Sequence, residues 1–238
     1  MGQDFVVQSA YWGSTFRPSQ QQQTDPAHGP FNWLDMNGAI FEMLYSGYLS
    51  GLDQYGFGSA YLGSRTAVSP DDPPAAWRSG NQADGFLDDD IVNYLIREIE
   101  AGRLNAPGDA QTGELPLYMV ILPQGLYSKD HFNAAVGMHY SFDYAGAHAL
   151  CAWNMQGDSL HDTSKIVSHE LVEAISAQLG HGEIADDCLS TSGYVRNTMV
   201  QGYKSDQDGG SCVIPGALTR KLPPGNPLFI HEPHLVGV

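Results

Sequence analysis

Basic residues are scarce in this 238-residue chain, and it contains no long apolar run. Eleven Lys and Arg residues stand against 27 Asp and Glu residues, which gives a formal charge of -16. This balance repels nucleic acid and anionic membrane surfaces, and a membrane-spanning helix needs about 20 consecutive apolar residues. We therefore expect neither nucleic acid nor a membrane as a partner. The sequence gives no indication of the oligomeric state.

Signal-like features are also lacking at the start of the chain. The first residues, MGQDFVVQ, have neither the basic nor the apolar region of a signal peptide, so the protein is either cytoplasmic or begins after a removed signal. Lysine occurs only at positions 129, 165, 204 and 221, and this scarcity favours a secreted protein. Three cysteines are too few for a disulfide scaffold but allow one bridge and one free thiol.

Hydrophobic periodicity predicts an α+β fold with a mixed, twisted sheet. Apolar runs and alternation indicate strands, and apolar residues at 3.6-residue spacing indicate helices. The predicted strands are 5–12, 115–123, 134–142 and 147–153. The predicted helices are 33–52, a second from Asp88 to a stop at Gly102, and a third at about 163–179 with Asp162 or Thr163 as its cap.

Three segments lack this periodicity. The glutamine- and proline-containing stretch 14–31 is predicted to be a mobile loop, and 66–86, rich in Pro and Gly turn signals, a long connection. Short strands and loops are predicted for the last quarter of the chain, and its end, residues 215–238, is predicted to be an irregular tail. The chain length fits one large domain or two small ones, and we expect a single domain spanning 1–238.

The third helix, in TSKIVSHELVEAISAQLG, carries the residues that suggest chemistry. At 100° per residue, His169, Glu170 and Glu173 share one face, with Val167 and Leu171 on the opposite, core-facing arc. A histidine and a carboxylate four residues apart can bind one ion, and this donor pair suits zinc. Glu170 is then placed to take a proton from metal-bound water. The alternative is an ordinary solvated helix face.

The segment HGEIADDC follows this helix closely and offers a third ligand. A catalytic zinc takes three protein ligands and keeps one position open. Asp186 is the first candidate and Glu183 the second, while only proximity supports His181. A polar turn or a calcium site is the alternative, but hard cations prefer oxygen ligands, so the imidazole of His169 argues against calcium.

The chain also resembles a known family in a series of motifs. In order these are AYWG, SGYLSGLDQYG, DDDIVNYLIREIEAGRL, LYMVILPQG, GMHYSF, SHELVEA, GEIADDC and YKSDQDGGSC. They resemble the bacterial zinc-metalloprotease-like proteins related to the plant Exordium, or phosphate-induced, family. SHELVEA followed by GEIADDC is the most specific pair. Relatives have a longer link between these two motifs, so we expect the third ligand to sit differently here.

The resemblance implies a secreted, zincin-like metallohydrolase with one Zn²⁺. It draws attention to His139 in GMHYSF, as a ligand or as a hydrogen-bond donor to the transition state, although a histidine at a strand end is often structural. It also pairs Cys188 with Cys212, which leaves Cys151 as a small buried residue. By position, it assigns the site to His169, Glu170, Glu173, Glu183 and Asp186.

These patterns predict a zinc-dependent hydrolase that cleaves a peptide or protein substrate. Metal-bound water, deprotonated by Glu170, attacks the carbonyl, and Tyr140, Tyr194 or His139 stabilises the oxyanion. Two alternatives remain at this point. One is a secreted binding or signalling module without catalysis, and the other is a non-heme iron oxygenase, because two carboxylates and one histidine can also hold iron.

Overall fold

A computed structural model describes residues 2–18, 31–111, 113–131 and 135–216. The described strands are β1 Gln3–Tyr11, β2 Phe57–Val68, β3 Glu114–Leu122, β4 Gly137–Tyr144, β5 Ala147–Met155, β6 Ser192–Val195, β7 Thr198–Gln201, β8 Tyr203–Ser205 and β9 Ser211–Val213. The described α-helices are α1 Trp33–Tyr45, α2 Asp88–Glu100 and α3 Leu160–Gln178. None of the described helices combines the length and apolarity needed to cross a bilayer.

Five strands form one mixed sheet in the order β2-β1-β3-β5-β4. The pairs β1–β2, β1–β3 and β3–β5 are parallel, whereas β4 runs antiparallel to β5 at the edge. The β4–β5 hairpin turns at Ala145 and Gly146, which both have positive φ, as a two-residue hairpin loop requires. The prediction of an α+β fold with a mixed sheet is confirmed.

Both faces of the sheet are buried. On β3, Leu117 and Met119 pack in the cluster that contains α1 and α3, while Tyr118 and Val120 pack in the cluster that contains α2. This explains why LPLYMVIL is apolar without interruption: a strand covered on both sides needs no polar alternation. The side of the sheet that carries α1 and α3 is the side of the candidate site.

The predicted helix 33–52 was too long. It begins as predicted, with the side chain of Asn32 as its cap, but α1 ends at Tyr45, and 3-10 turns span Tyr48–Tyr55 between Gly47 and Gly56. Both glycines have left-handed φ, 85° and 92°: Gly47 separates α1 from the 3-10 turns, and Gly56 ends these turns. Strand β2 was not predicted, and its last residues take up the start of the expected connection 66–86. As an edge strand with glycine and polar residues, β2 lacks a clear apolar alternation.

Other boundaries shifted by a few residues. Helix α3 starts at Leu160, three residues earlier than predicted, because Ser159 and not Asp162 or Thr163 caps it: the Ser159 hydroxyl accepts from the Asp162 N–H at 3.1 Å. In the predicted loop 14–31, residues 19–30 lie outside the described residues. Its two ends are anchored, because Phe16 and Phe31 are buried in the core. Most of the predicted tail, from residue 217 onward, also lies outside the described residues.

Candidate metal centre

Helix α3 is the platform of the candidate site. Val167, Leu171 and Ile175 are fully buried against the sheet, as the helical wheel predicted. The opposite face is not a solvated one, because Glu170 is 5% exposed and Glu173 only 3%. Two carboxylates so deeply buried must be paired with cations or hydrogen-bond donors. The neighbouring elements provide those partners.

Glu173 has a different role for each of its two oxygens. Oε1 accepts hydrogen bonds from the backbone N–H groups of Ala185 and Asp186, at 3.2 Å and 3.0 Å. Oε2 lies 3.0 Å from Nε2 of His169 and 3.8 Å from Nδ1 of His139. The loop after α3 therefore fixes the carboxylate, and its second oxygen points between two imidazoles.

Gln201, at the end of β7, holds the other side of the His169 ring. Its Nε2 lies 2.9 Å from Nδ1 of His169 and 2.9 Å from the carbonyl of Ala185. An amide nitrogen donates to both, so Nδ1 accepts and the ring proton lies on Nε2, facing Glu173. A protonated ring carries a hydrogen on Nδ1, and so does a neutral ring that binds a metal ion through Nε2. Either change requires Gln201 to turn its amide oxygen toward the ring.

Asp186 completes one group of potential ligands. Its Oδ1 lies 3.5 Å from Nε2 of His169, and its side chain is 56% exposed. Ligand atoms of His169, Glu173 and Asp186 all lie within 4.8 Å of one another. The exposed carboxylate puts this group at the protein surface, open to solvent. The disulfide Cys188–Cys212, predicted from the resemblance, is present and anchors the same loop two residues further on.

His139 projects from the edge strand β4 toward Glu170. Its Nδ1 lies 3.1 Å from Oε2 of Glu170, and the two side chains are 11% and 6% exposed. Gly137 makes this approach possible, because a Cβ atom there would lie 2.6 Å from Oε1 of Glu170. The other oxygen of Glu170 is 3.9 Å from Nε2 of His169, so Glu170 lies next to the ligand group.

The burial and charges of the centre raise the pKa values of three of its groups. Burial raises the pKa of Glu170, against the opposing effect of the hydrogen bond with His139. Burial lowers the pKa of His139, but its hydrogen bond with Glu170 and the surrounding carboxylates outweigh this, and the net pKa is raised. The pKa of His169 is raised in the same way, with burial opposed by Glu173. All three groups hold a proton to higher pH than they would in water.

The group His169, Glu173 and Asp186 fits a zinc ion by its donor chemistry. One imidazole nitrogen and two carboxylate oxygens are zinc donors, and three protein ligands leave a position open for water. The backbone N–H groups on Oε1 of Glu173 are the outer contacts that orient metal ligands. Calcium is the poorer fit, because it takes oxygen ligands and His169 offers nitrogen.

No protein-family model, curated protein or solved structure matches the chain. The family resemblance in the motifs therefore remains a prediction.

The remaining predicted site residues lie around the centre or away from it. Glu183 is exposed and belongs to neither potential ligand group, although its charge raises the pKa of His139. His181 is exposed and packs against Tyr55 in a tilted arrangement, with ring centroids 4.6 Å apart. Among the candidates for the oxyanion, Tyr140 donates to the carbonyl of Asp88 and Tyr194 contacts His161. His139 is the candidate that contacts the centre directly.

Sequence reasoning did not identify Gln201 or Gly137. Gln201 lies in YVRNTMVQGY, about 30 residues after His169, and no spacing rule connects a strand amide with a helix histidine. Gly137 lies two residues before His139 in GMHYSF. A glycine in a strand indicates that another group approaches the backbone closely, but it does not identify that group. Both roles depend on tertiary packing.

Proposed function

We propose that this protein is a zinc-dependent hydrolase that cleaves peptide bonds, with a zincin-like arrangement of the ligand-bearing helix under a mixed sheet. The observation that carries the proposal is the placement of Glu170, a buried carboxylate beside the group formed by His169, Glu173 and Asp186. A bound zinc ion would polarise a carbonyl and acidify water at neutral pH. His169, Glu173 and Asp186 would hold it.

Glu170 is suited to accept and return a proton. Its raised pKa brings it toward neutrality, where a general base works best and can later pass the proton to the leaving nitrogen. The Nδ1 of His139 holds Oε2 of Glu170 at 3.1 Å and so orients the carboxylate. His139 is therefore a positioning residue for the base, and it is available as a donor to the developing oxyanion.

The edge strand β4 supports a peptide as the substrate. In the described sheet β4 pairs only with β5, so its outer edge presents unpaired backbone groups to an extended chain. His139 lies in this strand and points to Glu170, which puts the edge beside the base. A peptide added along β4 would pass the candidate metal centre.

A surface cavity next to this edge suggests a preference for apolar side chains. It has a volume of about 380 Å³, and Leu126, Val136, Met155 and Ile166 are among the residues that line it. Val136 directly precedes Gly137, whose Cα faces Glu170, and Ile166 lies one helical turn before Glu170. A medium-sized apolar residue of the substrate fits this lining.

The disulfide supports an extracellular site of action. Disulfides persist in oxidising compartments and are rare in the cytosol of mesophiles. The bridge between Cys188 and Cys212 anchors the loop that carries Asp186. We therefore include secretion in the proposal, in line with the resemblance to the secreted Exordium-related proteins.

The proposal is tested with wild type and Glu170→Gln on a library of fluorogenic peptides, with the zinc content of both proteins measured. Loss of a general base lowers the rate about 10²- to 10⁴-fold, while the ligands and the bound zinc remain. Glu100→Gln, at the exposed end of α2, is the matched control and should match wild type. His169→Ala should lose both zinc and activity.

Two outcomes overturn the proposal. Equal hydrolysis by wild type and Glu170→Gln would show that Glu170 is not the general base. Full retention of zinc by His169→Ala would show that His169 does not hold the metal. If zinc binds as expected but wild type cleaves no peptide, the binding module is the better interpretation. Purification without added metal that yields iron in place of zinc favours the oxygenase.

A further inference from the structure

Glu173 belongs to two groups of potential ligands, and the proposed hydrolase uses only one of them for its metal. Ligand atoms of His139, Glu170 and Glu173 also lie within 4.8 Å of one another. Nδ1 of His139 is 3.1 Å from Oε2 of Glu170 and 3.8 Å from Oε2 of Glu173. One imidazole and two carboxylates are a donor set for a divalent transition metal.

This second group is more deeply buried than the first. The side chains of His139, Glu170 and Glu173 are 11%, 6% and 4% exposed, compared with 56% for Asp186. Each is held by a regular element, β4 or α3, and Glu173 also by two backbone N–H groups. Buried ligands that are fixed before binding need little ordering when an ion arrives.

An unpartnered buried oxygen lies on the same face of the sheet. Asn154 pairs with Gly137 across β4 and β5, so the two residues face the same side, which is also the side of His139. Asn154 is fully buried, and its Oδ1 has no hydrogen-bond partner among the described residues. A buried amide oxygen without a donor is suited to a cation or to water bound to one.

The charges also leave room for a second cation. Glu170, Glu173 and Asp186 are three carboxylates around the two imidazoles. One zinc ion held by His169, Glu173 and Asp186 neutralises two of these charges, and the buried Glu170 is left with His139 as its partner. A divalent cation bound between His139 and Glu170 would also neutralise this buried carboxylate.

We propose that His139, Glu170 and Glu173 form a second divalent-cation position, which shares Glu173 with the first, and that its occupation inhibits hydrolysis. A cation bound to Glu170 occupies the carboxylate that would otherwise accept the proton from water. The inhibition rests on the proposed hydrolase, whereas the cation position does not. Excess zinc is the probe cation for this position.

The position is tested by equilibrium dialysis of the whole protein against a series of free zinc concentrations, with zinc counted by mass spectrometry. Wild type should bind one zinc ion tightly and a second one more weakly. His139→Ala and His139→Gln should lose the weaker ion and keep the tight one. His169→Ala should lose the tight ion, and Glu173→Ala should lose both.

An exposed pair of a histidine and an aspartate provides the control for nonspecific zinc binding at the surface of this acidic protein. His148 lies 3.1 Å from a carboxylate oxygen of Asp143, and both side chains are well exposed. His148→Ala should bind two zinc ions, as wild type does. A wild type that saturates with one zinc ion overturns the position. So does a second ion that survives in both His139 variants.

The regulatory part has its own readout. Peptide hydrolysis by wild type should rise as the first zinc ion binds and fall as the second binds, at the concentrations found by dialysis. Activity that stays constant while the second ion binds overturns the inhibition and leaves the hydrolase in place. Two bound ions without any hydrolysis overturn the hydrolase and leave the cation position in place.

Discussion

The amide nitrogen of Gln201 lies 2.9 Å from Nδ1 of His169, on the side of the ring that faces away from Glu173. The side chain that orients the proposed ligand thus comes from a strand, while the ligand itself comes from a helix. With its amide oxygen turned toward the ring, Gln201 would accept the hydrogen on Nδ1 and so set the tautomer and direction of a metal-binding His169. Gln201 also donates to Ala185, so it ties His169 to the loop that carries Asp186.

Gln201→Leu should weaken zinc binding about 10- to 100-fold, because the ring loses the partner that fixes its orientation. Gln201→Glu should recover most of this loss, since a carboxylate accepts the hydrogen that metal binding places on Nδ1. The dissociation constants are measured by competition with a zinc chelator. Gln54→Leu is the control, because it removes an amide that donates to Ser205 in β8. Equal zinc affinity of Gln201→Leu and wild type would contradict the role.

Gly137→Ala should lower peptide hydrolysis about 100-fold, because a misplacement of a catalytic group by about 1 Å has this effect. The added methyl group would lie 2.6 Å from Oε1 and 2.9 Å from Cδ of Glu170, so the carboxylate must move. Zinc bound through His169 should remain, which mass spectrometry checks on the same samples.

Gly38→Ala is the matched control for the added methyl group. Gly38 lies within α1, and a Cβ atom there would meet no atom within 4 Å. We expect unchanged hydrolysis and a free energy of unfolding that rises by about 0.5–1 kcal/mol, since alanine favours the helix. If Gly137→Ala behaves like Gly38→Ala, the position of Glu170 is not sensitive to this contact.

The stabilisation by zinc should increase with pH. In the metal-free protein the pKa values of His139 and His169 are raised, so their contribution to stability is complete at acid pH and is lost as the pH rises through these folded-state pKa values. The raised pKa of Glu170 acts in the same direction. Zinc needs deprotonated ligands and therefore binds better at higher pH.

Thermal unfolding with and without zinc, at about pH 6 and about pH 8, measures this effect. The zinc-induced shift in Tm should be larger at the higher pH. His169→Ala should show only a smaller zinc-induced shift in Tm at either pH, from zinc bound at the weaker position. A zinc-induced shift that does not change between the two pH values would be inconsistent with zinc displacing protons from these groups.

Removal of the disulfide by Cys188→Ser with Cys212→Ser should lower the free energy of unfolding by about 3 kcal/mol, from the loop that the bridge closes. Zinc affinity should also fall, because Asp186 lies two residues before Cys188. Urea unfolding and chelator competition measure the two effects. Zinc affinity that is equal in the double variant and wild type would contradict the anchoring role.

The free cysteine provides an internal check on the same samples. Cys151 is fully buried, and burial raises its pKa to about 12. Wild type should therefore not react with a thiol reagent while it is folded, and should show one thiol after unfolding without reductant. The double variant should behave identically. A thiol that reacts in the folded double variant indicates that the core has opened.

Residues in helix α3 show how far the sequence could predict the site. His169, Glu170 and Glu173 share a face because of the helical period alone, and the buried residues Val167 and Leu171 on the other face confirm the orientation. The depth of burial of Glu173 was not predictable, since it depends on the backbone of residues 185 and 186. Local spacing therefore gives the face but not its environment.

The fold shows the same division. Strand β3 was predictable because both of its faces are buried and its sequence is apolar throughout. Strand β2 was not, because in the described sheet it pairs with β1 alone and owes its place to that pairing. The end of α1 at Tyr45 depended on the left-handed conformation of Gly47, which a helical pattern continuing through Tyr48 and Leu49 conceals.

The attachment of His169 to β7 also has a consequence for the order in which the protein is made. Synthesis proceeds from the N-terminus, so α3 is made before Gln201, which comes later in the chain. A growing chain that ends before residue 201 carries His169 and Glu170 but not the strand whose Gln201 contacts His169. Under the proposed function, His169 acquires its orienting partner only once β7 has packed against α3, so this part of the centre is completed by a late segment of the chain.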